Sequence, residues 1–230
     1  MKTTHTLFSN LLLAVLICFS TLVKAQVPTG PSDATTPPPA NASDVAKVLC
    51  YGQGISLSAP KETATTDYAI YHWYKEDVNG VKQLITGSTG RTYTETTGAA
   101  GYYKYYVVTE NANGCISPVS DVLKIFVLPA LSVTVTSPVA SMCADASNSV
   151  LLTANVTPSS GYTINYQWTR NGTNITGATA STYNATGETT AATVTFGVNV
   201  SYALNTSCTA TGTKDITITP LPTKPMITAN

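Results

Sequence analysis

The sequence predicts an all-β chain built as two tandem antiparallel β-sandwiches, and three observations carry that prediction. A frame of Cys50, Trp73 and Cys115 returns as Cys143, Trp168 and Cys208, with both cysteine gaps 65 residues long and both cysteines shifted by 93. Self-similarity at a fixed period marks one structural unit used twice. The composition is rich in Thr, Val, Ser and Tyr with only 10% charged residues, and Thr, Val and Tyr suit a half-buried pleated surface. No window sustains apolar spacing of 3.6 residues between capping signals, which leaves strands as the building element.

The chain begins with a processing segment. Lys2 supplies a positive start, Leu11 to Phe19 form a short apolar run, and Val23-Lys24-Ala25 offers small residues ahead of Gln26. That layout is a secretory signal peptide over residues 1–25, too short in its apolar part to span a bilayer. Cys18 leaves with it, because Val15-Leu16-Ile17 lack the small residue that lipid attachment prefers beside the cysteine. Four cysteines remain, an even number in an exported chain, which favours disulfides over metal or redox chemistry. Removing Lys2 and Lys24 from twelve basic and twelve acidic residues leaves a formal charge of −2. A near-neutral surface gives no electrostatic basis for binding nucleic acid or anionic membrane.

Residues 26–44, with Pro28, Pro31 and Pro37-Pro38-Pro39, read as an extended polar linker that buries nothing. The first sandwich spans 45–128. Ile55 to Ala59 alternates as a strand, and Ala69 to Tyr74 is the central strand, with Trp73 and Tyr71 inward and His72 and Tyr74 outward. Asn79-Gly80 turns the chain, since Asn-Gly tolerates positive φ. Val81 to Ile85, Thr92 to Thr94, Tyr102 to Val108 and Val119 to Val127 complete the unit. The second sandwich, 129–222, repeats the plan. Ser149 to Val156, Tyr166-Gln167-Trp168, the alternating Phe196, Val198, Val200 and Tyr202, and Asp215 to Thr219 are its strands. Ile85 to Tyr93 matches Ile175 to Tyr183 at six of nine positions, which supports duplication. Leu128-Pro129 recurs as Leu221-Pro222, so residues 223–230 read as the lead-in to a third unit, whose first cysteine would fall at position 236.

Of the three pairings open to four cysteines, Cys50–Cys115 with Cys143–Cys208 respects the duplication and leaves each unit self-contained. Closing such loops would remove about 4 kcal/mol of unfolded-chain entropy each. The order Cys-Trp-Cys, the tryptophan on the central strand, and Gly101-x-Tyr103 opening the late strand resemble the immunoglobulin-like superfamily, in which Tyr103 stands where a corner tyrosine is placed. Cys50-Tyr51-Gly52 and Gly114-Cys115 are similar to motifs of the Ig-like and PKD-like modules of large bacterial surface and type IX-secreted proteins. In antibody domains the second cysteine follows the corner tyrosine by two residues, whereas Cys115 follows Tyr103 by twelve. The expected bridges are therefore clamps at one end of each sandwich. Phe196 is expected at the place of Tyr103 in the second unit, and Trp73, Tyr103, Trp168 and Phe196 are the expected core aromatics.

No catalytic, cofactor-binding or metal residues are assigned. His72, the single histidine of the mature chain, sits on a strand. No base can be placed beside a serine or threonine nucleophile, and no Asp-rich loop has calcium spacing. Asn41, Asn171, Asn174 and Asn205 begin sequons, read as unmodified turns in a chain that resembles bacterial modules. Tyr74, Tyr102, Lys104 and Tyr106 form a candidate binding face, because exposed aromatics with a polar handle grip glycans or proteins. The expected function is a non-enzymatic extracellular spacer or adhesion segment, with an unknown protein or glycan as partner and further modules on its C-terminal side. The alternatives are a glycan- or protein-binding module using the tyrosine face, or accessory domains of a secreted hydrolase.

Overall fold

The computed structural model describes residues 28–228, so the signal-peptide reading of residues 1–25 lies outside the described residues. The first unit contains β1 (Lys47–Leu49), β2 (Gly54–Ser58), β3 (Ile70–Glu76), β4 (Lys82–Leu84), β5 (Thr92–Thr96), β6 (Gly101–Glu110) and β7 (Leu123–Val127). The second contains β8 (Ser132–Thr136), β9 (Ser141–Cys143), β10 (Ser149–Thr157), β11 (Ile164–Arg170), β12 (Thr173–Asn174), β13 (Thr182–Thr186), β14 (Ala192–Tyr202) and β15 (Thr209–Thr219). Each unit faces a five-stranded sheet with a smaller one. The first pairs the order β1-β7-β6-β3-β4 with β2-β5, and the second pairs β12-β11-β14-β15-β9 with β13-β10-β8. The two five-stranded sheets have the same connectivity, and both use a short parallel edge strand, β1 on β7 and β9 on β15. The fold is all-β with two tandem sandwiches.

The repeated block has a structural purpose in both copies. Trp73 and Trp168 are buried on the central strands, and each indole must place its N–H on an acceptor. The acceptors are Gly90 O and Ala180 O, both at 2.9 Å and both within the repeated block. The same block closes onto the central strand through Ile85 N–H to Trp73 O and Ile175 N–H to Trp168 O. It ties the opposite sheet through Ala59 N–H to Arg91 O and Ala154 N–H to Ser181 O. The connection between sheets is thus built around the tryptophan.

An aromatic triad repeats with it. Trp73, Tyr93 and Tyr105 have neighbouring ring centroids 6.0 and 5.9 Å apart, and Trp168, Tyr183 and Phe196 have 5.8 and 6.0 Å. Strand register agrees, since Lys75 faces Tyr105 and Arg170 faces Phe196. Phe196 therefore corresponds to Tyr105 and not to Tyr103, a correction to the sequence expectation. The reason is that the connection from central to late strand is shorter in the second unit, so a fixed offset of 93 overshoots there. Tyr103 itself is buried and donates its hydroxyl to Ala99 O at 2.9 Å. Its register counterpart, Val194, has no hydroxyl to donate.

Two residues after each tryptophan stands a cation, with a different solution in each unit. Lys75 is fully buried, bonds Glu95 at 2.8 Å and lies 4.7 Å from the centroid of Tyr103. Glu95 also accepts from Tyr93 and Tyr105 hydroxyls at 2.5 and 2.7 Å, so the partly buried carboxylate has three donors. Burial and the Glu95 charge push the Tyr105 hydroxyl far above its ordinary range. Arg170 instead reaches outward to a two-pronged pair with Glu188, at 2.8 and 2.7 Å.

The linker expectation is overturned. Ser32 and Pro39 are buried, Asp33 bridges Tyr102, and the Ser32 N–H donates to Tyr102 O while the Tyr102 N–H donates to Asp33 O, both at 2.7 Å. The segment occupies the edge of β6 left free where β3 ends. Gly101 makes this possible. Its φ is +134°, and a Cβ there would lie 2.6 Å from Asp33 O. The Asp33 carboxylate, held far below its usual range by the Thr36 hydroxyl and the backbone N–H of Thr36 and Thr35, shapes the turn that follows.

The disulfide expectation is overturned as well. Cys50 bonds Cys208, while Cys115 and Cys143 are free and exposed. Cys50 follows β1 and lies level with Gly101 at the start of β6, whereas Cys115 follows the end of β6. Ten residues of strand span about 33 Å, and a disulfide needs α-carbons within about 7 Å. Cys143 and Cys208 are likewise separated by the length of β14. Each unit carries its two cysteines at opposite ends, so neither can close on itself.

Replacing Lys75 by Met should lower the stability of the first sandwich by about 3 kcal/mol, because it strands the Glu95 carboxylate in a poorly solvated site. Chemical denaturation of the two proteins measures this, and an unchanged midpoint would contradict the buried network.

Candidate functional site

The end of the first sandwich is joined to the second through side chains that break the strand rule. Ile125, Phe126, Val127 and Leu128 are all apolar, where a half-exposed strand would alternate. Ile125 and Val127 belong to the core of the first sandwich. Phe126 and Leu128 point the other way and are still buried, at 2% and 0% exposure. They form a separate apolar cluster with Val48, Tyr202 and Cys208, flanked by Tyr102, Tyr162 and Ile164. Burying side chains of this size stabilises by about 1.5–3 kcal/mol each.

Polar groups fix the angle of the joint. Tyr202 donates its hydroxyl to Pro129 O at 3.1 Å, and Asn205 donates its side-chain N–H to Val48 O at 2.8 Å. Burial, with Tyr162 beside it, pushes the Tyr202 hydroxyl up to about 12. The Cys50–Cys208 bond, with α-carbons 5.3 Å apart, closes a sequence separation of 158 residues. A loop of that length corresponds to about 5 kcal/mol of unfolded-chain entropy in the simple model. Pro37 to Ala42 runs along the seam, facing Tyr162 and Leu204 across a groove.

The four residues of the candidate binding face divide. Tyr102 leaves it for the joint: its ring lies 4.8 Å from that of Phe126, and its hydroxyl donates to Pro37 O at 3.0 Å. Tyr74, Lys104 and Tyr106 share the outer face of the five-stranded sheet, where Tyr74 stands opposite Tyr106. All three are half-buried. Glu76 organises this face, accepting from Lys104 at 2.6 Å and from Tyr106 at 2.7 Å, while Lys82 sits 4.2 Å from the Tyr106 centroid. Burial and the Glu76 contact push the Tyr106 hydroxyl up to about 12. Its polar handle is engaged internally. His72 pairs with Glu110 at 3.1 Å further along the same face.

A second concavity lies in the first sandwich. Its smaller sheet has two strands where the second sandwich has three, and the stretch at the 93-residue offset of β8, residues 39–43, opens on Pro39 at the end of the Pro37-Pro38-Pro39 run. Proline cannot supply ladder N–H groups, so no strand forms there. The result is a cleft of about 760 Å³ between β2 and β7, with Leu57, Ala59, Trp73, Val107, Val122 and Leu123 on its walls.

Residues 37–129 match a family described as Ig-like domain, CHU_C associated. The match covers the first sandwich. Among solved structures, the chain is similar to the fibronectin(III)-like modules of Clostridium thermocellum CbhA, with 15% identity, a TM-score of 0.42, and coverage of 81% of this chain and 96% of that one. It is also similar to the N-terminal four Ig domains of Dscam1 isoform 8.4 (15% identity, TM-score 0.36, 75% of this chain and 42% of that one). A third similarity is to three N-terminal domains of the bacteriophage RB49 outer capsid protein Hoc (17%, 0.35, 74% and 56%). The chain spans less than half the length of the Dscam1 structure. No curated protein matches it.

Sequence reading missed the joint residues Val48, Phe126, Leu128, Tyr202 and Asn205. The signal was present: the unbroken Ile125–Leu128 run asks for burial on both faces, and Asn205 is an amide three residues from both Tyr202 and Cys208.

Glu76 and Glu188 both titrate below the ordinary 4.5 in the folded Ig-like pair. For Glu76, burial opposes ionisation, but the Lys104 and Tyr106 bonds outweigh it. For Glu188, the Arg170 bond dominates. A depressed folded pKa contributes stability above the unfolded value and loses it as pH falls through the folded one. Thermal stability should therefore fall as pH drops below about 4.5, and the fall should be shallower in Glu76→Gln/Glu188→Gln. Melting curves across pH 2–7 test this, and identical slopes for the two proteins would contradict it.

Proposed function

We propose that this chain is a non-enzymatic, extracellular spacer or adhesion segment of a bacterial surface or secreted protein, in which two Ig-like sandwiches act as one stiff unit. The observation that carries this reading is the joint. A flexible tether would need only the short link at Pro129, yet the chain commits a disulfide, an apolar cluster and two side-chain hydrogen bonds to fixing the angle. Inter-domain interfaces within a chain default to relative motion unless they are large and apolar, so investment at this point favours a role in which direction and reach matter. A disulfide in that position also suits an oxidising compartment outside the cytosol. The partner is a protein or glycan at the cell surface.

Small-angle scattering separates a stiff unit from two tethered beads. The oxidised protein should fit a single arrangement of the two sandwiches, whereas Val48→Asp/Cys208→Ser should require an ensemble of orientations while keeping its β circular dichroism. An ensemble for the oxidised wild type would contradict the proposal.

A further inference from the structure

We infer that Cys143 and Cys115 are the two unpaired halves of a second joint of the Cys50–Cys208 kind, and that a second copy of this chain completes it head to tail. Cys143 stands in the second unit where Cys50 stands in the first. Leu49 and Met142 immediately precede them, face Val127 and Ile218 across the same parallel edge ladder, and point into equivalent cores. Cys115 corresponds to Cys208, each in the turn that follows the long late strand. In the one joint present, the early cysteine of one unit bonds the late cysteine of the next. The counterparts of both free thiols are thus bonded to each other within the same molecule.

Their placement agrees with this. Both are exposed, and they lie at the two far ends of the pair, Cys115 at the end of the first unit away from the joint and Cys143 at the end of the second away from it. A contact between different ends is heterologous and repeats without closing on itself, so it extends the unit lengthwise.

The surroundings of the second joint differ in one respect. Ser141 and Thr217 occupy the ladder positions of Val48 and Phe126, and Thr219 that of Leu128. With no apolar cluster to hold it beforehand, this joint depends on the covalent bond and opens on reduction. The chemistry balances through thiol–disulfide exchange. A disulfide oxidant such as oxidised glutathione accepts two electrons and the two thiol protons, leaving as two thiols while the Cys143–Cys115 bond forms.

This inference rests on the stiff-unit reading, whose own test is the scattering experiment, so either can fail alone. Cys115→Ser and Cys143→Ser proteins are mixed in equal amounts in a glutathione redox buffer, and non-reduced peptide mapping counts each linkage. The mixed Cys143–Cys115 bond should exceed either symmetric bond by roughly tenfold, the ratio that a modest complementary contact confers. The wild-type chain should form a reducible ladder of oligomers, and Cys115→Ser/Cys143→Ser should form none. A mixed bond no more than about twice as abundant as either symmetric bond, the ratio of random pairing, or no covalent dimer at all, would overturn the inference.

Discussion

Phe126 and Leu128 put apolar side chains on the outer face of a sandwich strand, and much of the molecule is arranged to cover them. The second sandwich supplies Tyr202 and Cys208, the parallel edge strand supplies Val48, and Tyr102 lies against Phe126 from the neighbouring strand. The linker then passes over Tyr102, fixed by the Ser32 and Asp33 backbone bonds and admitted by Gly101. Remove the apolar outer face and each of these features loses its purpose. The Cys50–Cys208 bond fastens the same surface at its edge.

Inside each sandwich a different constraint governs. A buried indole needs an acceptor, and the connection between sheets is the element that reaches it. This explains why the best-preserved stretch of the duplication is a loop and not a strand: Ile85–Tyr93 and Ile175–Tyr183 deliver the acceptor, the bond back to the central strand, and the tyrosine of the aromatic triad. The late strands drift in sequence because burial and β-propensity are all they must satisfy.

That contrast shows what was legible in the sequence. Alternation placed Trp73 and Tyr71 inward, and the six-of-nine match marked the loop that serves the indole. The cysteine pairing was misread because equal spacing says that two units are alike, not that each closes on itself. Strand length decides the matter, since a chain that traverses the whole sandwich between its cysteines carries them apart. The binding face was half legible. Period two put Tyr102, Lys104 and Tyr106 together, but only packing reveals that Tyr102 is taken by the joint and that Glu76 engages the other two. The linker's prolines spelled extended chain, and an extended chain beside a free strand edge adds to the sheet.

The most direct measurement of the joint is disulfide mapping of the monomeric protein, alkylated without reduction and digested. The structure predicts one linked pair, the peptide of Cys50 with the peptide of Cys208, and alkylated thiols at Cys115 and Cys143. Linkage of Cys50 to Cys115 and of Cys143 to Cys208 would contradict the joint and return each sandwich to independence.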